Sequence, residues 1–324
     1  MKPSDNSTSS NTETSSGLAL GIDLGGTRVK FAWFDAGSGM LKGTRILPTE
    51  DCLSEDGAPR FAADIRSCIT EAERELGASF LTIGVAAPGL AAPDQRMIVS
   101  MPGRLAGLVG LDWTRLLGRS DLVPVLNDGH AALLGEVWQG AAKGWRDVVL
   151  LTLGTGVGGA ILSNGALLRG VSGRAGHLGH VCLNPDGPAD IVGTPGSLED
   201  AIGECSLRKR TEGRFERTRD LLAAVNSGDA KAAQQWDTSI QALAAAIVSF
   251  INTLDPELIV IGGGVAKAGD ELLVPLRKRV AAMEWCPLGN GVTIVSATLG
   301  EMGGATGAAK AARSMRQGKN TPIF

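Results

Sequence analysis

Two segments of the chain repeat one local pattern, in which an apolar strand, a turn rich in glycine and a second apolar strand follow one another. The first, "LALGIDLGGTRVKFAWFD", begins at Leu18, and the second, "VVLLTLGTGVGGAILSNG", begins at Val148. Period-2 patterning on both sides of a short glycine turn is typical of a β-hairpin. Because the two segments lie about one domain length apart, we expect two domains with related openings.

The segments around these hairpins alternate between helical spacing and buried strands. "RFAADIRSCITEAERELG", residues 230–254 and "DELLVPLRKRVAAME" have helical spacing, whereas "FLTIGVAAPG", "VPVLND" and "ELIVIGGG" predict buried strands. "SLEDAIGECSLRKR" predicts a further helix capped by Ser197. This alternation predicts an α/β fold.

The predicted domains are residues 18–126 and 127–303, and a final helix within residues 304–324 completes the first. Residues 1–17 are rich in Ser, Thr and Asn, so they cannot offset the entropy lost on ordering, and we expect a disordered tail. The tail lacks the apolar segment of a signal peptide, and no run of about 18 uninterrupted apolar residues predicts a membrane helix. Five scattered cysteines without a CxxC pair are typical of reduced thiols, which predicts a cytoplasmic protein.

The charge balance argues against two classes of partner. Lys and Arg number 31 against 34 Asp and Glu, and the net charge of -3 provides no positive field for nucleic acid or anionic membranes. A small anionic ligand would therefore need a local binding site.

Small residues at the ends of three strands would let backbone N–H groups approach a phosphate closely. The three groups are Gly25, Gly26 and Thr27; Gly154, Thr155 and Gly156; and Gly262, Gly263 and Gly264. None of them matches a P-loop or a dinucleotide-binding fingerprint. Asp23, at the end of the first strand, could hold Mg²⁺ through water; an ordinary hairpin with a tight turn is the alternative for that segment.

These hairpins resemble those of the actin-like ATPase and sugar kinase superfamily. Within it, "LNDGHAALLGE" looks like the NDxxxAxxGE segment and "AGHLGHVCLNPDG" like the AGExGH segment of the ROK family of repressors, uncharacterised reading frames and sugar kinases. The resemblance extends from about Leu18 to about Ala312. It implies two actin-like (ribonuclease H-like) α/β domains flanking a substrate cleft, and a homodimer.

The activity that this resemblance implies is an ATP-dependent hexose kinase with Mg²⁺, acting on the 6-hydroxyl of glucose or a similar sugar. N-acetylmannosamine, N-acetylglucosamine and fructose are alternative substrates, and polyphosphate is an alternative donor. A sugar-responsive transcriptional regulator or sugar sensor is the alternative from another class. The short polar segment before the first strand argues against a helix-turn-helix domain there.

The resemblance also assigns roles to the residues around "VLND". Asp128 would be the general base that takes the proton of the sugar hydroxyl. Asn127 would bind a neighbouring hydroxyl, and Gly89 in "AAPGLAAPD" would line the sugar pocket. The alternative for Asn127 and Asp128 is that they only cap the helix that follows.

The "AGHLGH" segment departs from the family pattern. His177 stands where Glu is usual, and His180 keeps the position of the His that, in the family, ligates a structural Zn²⁺ with three cysteines. Asp190, Val192 and Ser197 replace those cysteines. His180 with Asp190 and Cys182 falls short of the four ligands of a closed tetrahedral site, so we expect no structural zinc. Both histidines would then be free to bind sugar hydroxyls; for His177 a purely structural role in the loop is the alternative.

Two further residues complete the predicted sugar site. Glu199 matches the family Glu that hydrogen-bonds the sugar near its anomeric end. Arg104, in "MPGRLAGL", stands where many relatives carry Asn. Its guanidinium would suit an oxygenated or anionic substrate, but it could equally pair with an acidic neighbour or face solvent.

Overall fold

The computed structural model describes residues 17–318, so all but the last residue of the predicted tail lies outside the described part. The first half of the chain forms a five-stranded sheet with the order β3-β2-β1-β4-β7. Its strands are β1 (Leu18–Leu24), β2 (Arg28–Asp35), β3 (Leu41–Pro48), β4 (Phe80–Ala87) and β7 (Val125–Asn127). A separate small hairpin joins β5 (Leu90–Ala91) and β6 (Ile98–Ser100), and the helices are α1 (Arg60–Leu76) and α2 (Trp113–Leu116).

The second half repeats this topology, with a five-stranded sheet of order β10-β9-β8-β11-β12. Its strands are β8 (Val148–Leu153), β9 (Val157–Ser163), β10 (Ala166–Leu167), β11 (Leu258–Gly262) and β12 (Thr293–Ser296). In each sheet three strands that follow one another along the chain pair as antiparallel neighbours. Two later strands extend the sheet on the other side of the first strand and run parallel to it. The predicted α/β fold and the two related hairpins are confirmed.

Seven α-helices follow β7 in the described part of the chain. They are α3 (Asp128–Gln139), α4 (Leu198–Ile202), α5 (Leu207–Arg210), α6 (Thr218–Asn226), α7 (Ala230–Leu254), α8 (Asp270–Met283) and α9 (Gly303–Arg316). Among residues 17–318, α7 alone is long and apolar enough to cross a membrane by length and composition. One of its faces packs in the core of the second half, where Leu243 and Ile247 are fully buried.

The helix predicted over "SLEDAIGECSLRKR" is wrong as a single helix. Ser197 does cap α4, because its Oγ accepts a hydrogen bond from the Asp200 amide at 3.2 Å, but α4 ends at Ile202. Gly203 is extended, and the next two amides donate to the carbonyls of Gly154 and Thr155 instead of continuing the helix. A tertiary contact with the second hairpin therefore overrides local helical spacing.

The helix α9 lies against the first sheet and against α3. It contacts β1, β2 and β4, as the predicted completion of the first domain by a C-terminal helix requires. It also packs closely on α3, because a side chain at Gly307 would collide with the carbonyl of Ala131. The domain division at residue 127 stays a prediction, since buried residues of both halves, such as Leu126 and Val148, share one core cluster.

A buried carboxylate near the C-terminal end of α3 attaches this helix to its neighbours. Glu136 is 2% exposed and accepts hydrogen bonds from the amides of Ala141 (2.7 Å), Thr298 (3.0 Å) and Leu299 (2.9 Å). Several N–H donors can stabilise a buried carboxylate without a counter-ion. They fix α3 to the segment before α9, and this attachment restrains the whole helix, including its first residue, Asp128.

Candidate active site

The junction between β7 and α3 brings together three of the predicted sugar-site residues. Asn127 caps α3, because its Oδ1 accepts from the amides of Gly129 (2.9 Å) and His130 (3.3 Å). Its Nδ2 donates to the carbonyl of Gly89 at 2.9 Å and keeps one hydrogen for another acceptor. Asn127 thus acts as a helix cap, as the structural alternative held, and also ties Gly89 to Asp128, the next residue.

Asp128 is the first residue of α3, and its Oδ1 accepts from the amide of Gly129 at 2.8 Å. Asp128 is exposed to solvent, although many protein atoms lie close to its carboxylate. This desolvation, followed by repulsion from the Asp23 carboxylate, raises the pKa of Asp128 to about 6. A carboxylate of this basicity is mostly ionised near neutral pH and is suited to general-base catalysis.

Asp23 lies at the end of β1, opposite Lys30 in the hairpin register. The Lys30 ammonium donates to Asp23 Oδ2 at 2.8 Å, and Asp23 is 8% exposed. Burial raises the pKa of Asp23, although Lys30 opposes the shift. A Cβ at Gly304, in the first turn of α9, would lie 2.8 Å from Asp23 Cγ, so this glycine makes room for the carboxylate. Lys30 was missed by the sequence reasoning; its place opposite Asp23 across the glycine turn is the signal that could have found it.

The turn of the first hairpin is held by Thr49, whose Oγ1 donates to the carbonyl of Gly25 at 2.7 Å and whose amide donates to that of Thr27 at 2.9 Å. Arg104 lies against this turn. Its Nη1 is 3.2 Å from the position that a Cβ on Gly26 would occupy. Arg104 is exposed, and no ion pair or hydrogen bond joins its side chain to any of the residues 17–318.

The loop that carries Arg104 is anchored at the two residues that follow it. Asp51 accepts hydrogen bonds from the amides of Leu105 and Ala106, each at 3.0 Å. Leu105 is 1% exposed and has a φ of 54°, a left-handed conformation that is unfavourable for leucine. The buried side chain and the two bonds to Asp51 hold this conformation, so the backbone at Arg104 is fixed although its side chain is exposed.

The second hairpin and the third glycine segment are neighbours. Gly262 pairs with Thr152 between β11 and β8, and Gly263 lies against the carbonyl of Leu153 with a φ of 90°. A side chain at Gly263 would collide with that carbonyl, so glycine is required there. Gly264 has open space next to it. The second and third predicted phosphate segments thus lie side by side at the carboxyl ends of two parallel strands.

Glu199 is placed at the same hairpin. Its Oε2 accepts from the amide of Val157 at 2.9 Å and lies directly against Gly156, where any side chain would displace it. Thr155, at the tip of the turn, is exposed. The carboxylate of Glu199 therefore lies where the predicted phosphate-binding turn meets the predicted sugar-binding loop.

The histidines predicted for the sugar site lie in and beside a short 3-10 helix, Leu178–His180. The Nε2 atom of His177 is enclosed without a partner among the described residues. Its ring stands edge-on to His130, at 6.1 Å between centroids, and burial, then the charge of His180, lowers its pKa. His130, two residues after Asp128, is the one other histidine in the sequence. The sequence reasoning assigned it no role.

His130 joins α3 to the histidine loop. It is 3% exposed, its Nε2 is 2.8 Å from the carbonyl oxygen of Ala175, and burial lowers its pKa to about 4. His130 and His177 are therefore both neutral near pH 7. Because His130 belongs to the first turn of α3, the loop with His177 is held close to Asp128.

His180 forms a pair with Asp190, with 2.8 Å between Nδ1 and Oδ2. Burial alone would raise the pKa of this carboxyl, but its hydrogen bonds, first that from His180, leave the pKa below its ordinary value. Within residues 17–318 no group of three or more His, Cys, Asp and Glu side chains is arranged to hold a metal ion. The expected lack of zinc stays a prediction.

Several of the predicted residues lie around the first turn of α3. The charge of the Asp23 carboxylate raises the pKa of Asp128, and Asn127 hydrogen-bonds the carbonyl of Gly89. On the other side, Gly129 packs against β9, where a Cβ on this glycine would lie 2.7 Å from the carbonyl oxygen of Gly159. The first turn of α3 thus lies near Asp23 of the first hairpin on one side and against β9 of the second hairpin on the other.

Comparison with known proteins gives a consistent result over nearly the whole chain. A family model described as the ROK family matches residues 19–315. A glucokinase of Halalkalibacterium halodurans is 32% identical over 316 residues, which cover 89% of this chain and 92% of the relative.

Two solved structures have the same fold. A ROK hexokinase from Thermus thermophilus superposes with a TM-score of 0.78 at 31% identity and covers 93% of this chain and 99% of its own. A ROK family glucokinase from Streptomyces griseus, solved in complex with glucose and AMPPNP, superposes with a TM-score of 0.74 at 26% identity and covers 92% and 100%. These similarities confirm the predicted actin-like architecture of two α/β domains.

Proposed function

The chain belongs to the ROK family, and on that premise we propose that it is an ATP-dependent kinase acting on the 6-hydroxyl of glucose or a similar hexose. The glucokinase and hexokinase names of its relatives support a sugar kinase, and the AMPPNP complex of one of them supports ATP as donor. The observation that carries the proposal is Asp128, a carboxylate with a pKa of about 6 at the start of α3.

In the proposed reaction the oxygen of the sugar 6-hydroxyl attacks the γ-phosphorus of ATP, and Asp128 accepts the hydroxyl proton. The bond between the γ-phosphorus and the bridging oxygen breaks, and ADP leaves with that oxygen. Because phosphoryl transfer depends mainly on positioning and charge stabilisation, the base contributes roughly 10² to 10⁴ in rate. Desolvation and Asp23 give Asp128 the basicity for this role.

The donor phosphates would lie between the glycine turns. The amides of Gly25 and Gly154 close their turns by donating to the carbonyls of Arg28 and Gly156. The backbone N–H groups of Gly26 and Thr155 suit phosphate oxygens. Asp23 provides a carboxylate oxygen not bonded to Lys30, which fits the oxygen ligands that Mg²⁺ prefers, directly or through water. Mg²⁺ brought with ATP would neutralise phosphate charge there.

Arg104 belongs with the phosphate side of the proposed site. Its guanidinium lies beside Gly26 and has no acidic partner within residues 17–318, and its backbone is fixed by Asp51 and Leu105. An unpaired guanidinium next to a turn of N–H groups suits a phosphoryl oxygen better than a neutral sugar hydroxyl. We therefore assign Arg104 to the γ-phosphate of the donor, where it stabilises the charge of the transferred group.

The sugar would lie against Gly89 and the histidine loop. The free ring nitrogen of His180 suits a hydroxyl group, which can both donate and accept. The unpartnered Nε2 of His177 would do so once the loop that encloses it opens. Glu199 suits vicinal hydroxyls near the anomeric carbon. Asn127 already bonds the carbonyl of Gly89 and two amides, so one amide hydrogen remains for the sugar.

A coupled ADP-release assay over a panel of sugars tests the proposal. The panel holds glucose, mannose, fructose, N-acetylglucosamine and N-acetylmannosamine, each with ATP and with polyphosphate as donor. We expect the highest kcat/KM with glucose and ATP. A preference for an N-acetylhexosamine would change the proposed substrate, and a preference for polyphosphate would change the proposed donor. Neither result would contradict the assignment of Asp128 as the base. Sugar binding by calorimetry without turnover of any sugar would refute the enzyme and favour a sensor.

A further inference from the structure

Four donors converge on one enclosed carboxylate in the loop after the histidines. His180 Nδ1 lies 2.8 Å from Asp190 Oδ2, and the amides of Val192 and Thr194 donate to Oδ1 at 3.0 and 2.9 Å. The hydroxyl of Ser197 lies near this carboxylate and helps to lower its pKa. The Asp190 side chain is only 1% exposed, because the loop's own backbone wraps around it.

Two of these donors lead into the proposed sugar site. One is His180 itself. The other is Ser197, whose Oγ also accepts from the amide of Asp200 at 3.2 Å and so caps α4. The first turn of α4 carries Glu199, which in turn binds the amide of Val157. A single carboxylate thus connects the histidine loop with the helix that carries Glu199.

The same donors do not form a zinc site. A structural zinc is held by four side-chain ligands, mostly sulfur and nitrogen. Here Val192 has an aliphatic side chain and the Ser197 hydroxyl caps α4. His180, Asp190 and the exposed Cys182 are ligand types, but within residues 17–318 they form no group of three that could hold a metal ion. The two amide hydrogens that point toward the Asp190 carboxylate would repel a cation at that position, whereas they stabilise an anion.

We propose that the Asp190 carboxylate replaces a structural metal ion in this chain and acts as the positioning residue for His180. It holds the imidazole with the hydrogen on Nδ1, so that Nε2 is an acceptor for a sugar hydroxyl, and it fastens residues 181–197 to the start of α4. The part concerning the sugar rests on the proposed function; the hydrogen-bond network and the replacement of the metal do not.

The substitution Asp190→Asn makes a directional prediction. The two backbone amides of residues 192 and 194 can only donate, so the new amide must turn its oxygen toward them and its NH₂ group toward His180. The imidazole then has to accept at Nδ1 and carry its hydrogen on Nε2. The variant should therefore reverse the tautomer of His180 with little change in side-chain volume.

Nitrogen-15 NMR of the imidazoles measures this reversal, and with three histidines in the chain the signals can be assigned by substitution. At about pH 8, above the ordinary imidazole pKa, we expect the Nδ1–H form of His180 in the parent protein and the Nε2–H form in Asp190→Asn. We also expect KM for the sugar to rise roughly 2- to 10-fold, with KM for ATP unchanged.

Asp186→Asn is the matched control, because Asp186 is exposed in the same loop and its carboxylate has no hydrogen bond or ion pair within residues 17–318. It should leave both the tautomer and the sugar KM as they are. The proposal is overturned if His180 has the same tautomer in the parent and in Asp190→Asn, or if Asp186→Asn changes the sugar KM as much as Asp190→Asn does.

A metal measurement tests the other half of the proposal. Protein purified without an affinity tag should contain well below one Zn²⁺ per chain, and dialysis against a chelator should leave its melting temperature unchanged. Stoichiometric zinc whose removal lowers the melting temperature would overturn the replacement of a metal by Asp190. A parent protein that phosphorylates no sugar would refute the proposed function alone, since neither the tautomer nor the metal content depends on turnover.

Discussion

Asp128→Asn is the substitution with the sharpest expected outcome, because activity and stability should move independently. The amide keeps the size of the side chain and can still accept from the Gly129 amide, but it cannot take a proton. We expect kcat to fall roughly 10²- to 10⁴-fold with little change in sugar affinity. The assay is the coupled ADP release, and calorimetry measures sugar binding by the variant.

Stability should not fall with activity. Desolvation and the neighbouring Asp23 raise the pKa of Asp128 in the folded protein above its value in the unfolded chain. The fold therefore loses stability as the pH rises above the ordinary aspartate pKa of 3.8, and this cost is complete above about 6. A neutral amide relieves it at all pH values. The melting temperature of Asp128→Asn at pH 7 should accordingly equal or exceed that of the parent protein.

The control is Asp270→Asn, at the first residue of α8, where an exposed carboxylate occupies the same helical position outside the proposed site. Its kcat should stay within about twofold of the parent value. Near-normal turnover by Asp128→Asn would refute the assignment of the base. A lowered melting temperature together with lost activity would show that the substitution acts through folding.

The pH dependence gives an independent check on the same group. Asp128 must be ionised to accept a proton, so kcat/KM should rise with pH and level off above about 6. A single group with this pKa makes kcat/KM about tenfold lower at pH 5 than at pH 7. A profile that is flat between these pH values would contradict a base with the raised pKa of Asp128.

Substitutions at three further residues test the roles assigned around this base. Arg104→Ala should lower kcat/KM for ATP roughly 10- to 100-fold and leave the sugar KM unchanged, whereas Arg66→Ala, on the exposed face of α1, should do neither; a rise in the sugar KM alone would move Arg104 to the sugar. His177→Ala should raise the sugar KM roughly 2- to 10-fold without changing the ATP KM, and His177→Glu should retain activity or shift sugar preference; parallel losses for all substrates would leave His177 a structural role. Asp23→Asn leaves Lys30 without its partner and should reduce turnover at least about tenfold while calorimetry still detects the sugar; unchanged ATP kinetics would return this segment to an ordinary hairpin.

Local patterns in the sequence predicted the two hairpins and several helices of this fold. The glycine turns at residues 25–27 and 154–156, the helix Ala230–Leu254 and the cap at Asn127 all depend on neighbours within a few positions, so each can be predicted without knowledge of any tertiary contact. The prediction failed at Gly203, where the amides after α4 bond the second hairpin instead of their own helix. Helical spacing describes one segment and carries no information about the carbonyls that another segment offers.

The chemistry of the candidate site depends on contacts that only the tertiary structure decides. The sequence left the roles of Arg104 and His177 open, and it held no reason to connect Arg104 with Gly26 or His177 with His130; these pairs meet because two sheets and α3 bring distant segments together. The same holds for the pKa of Asp128, which rises through desolvation and through Asp23. Desolvation and the charge of Asp23 both depend on which atoms surround the Asp128 carboxylate. Those neighbours are determined only when the chain has packed into its tertiary structure.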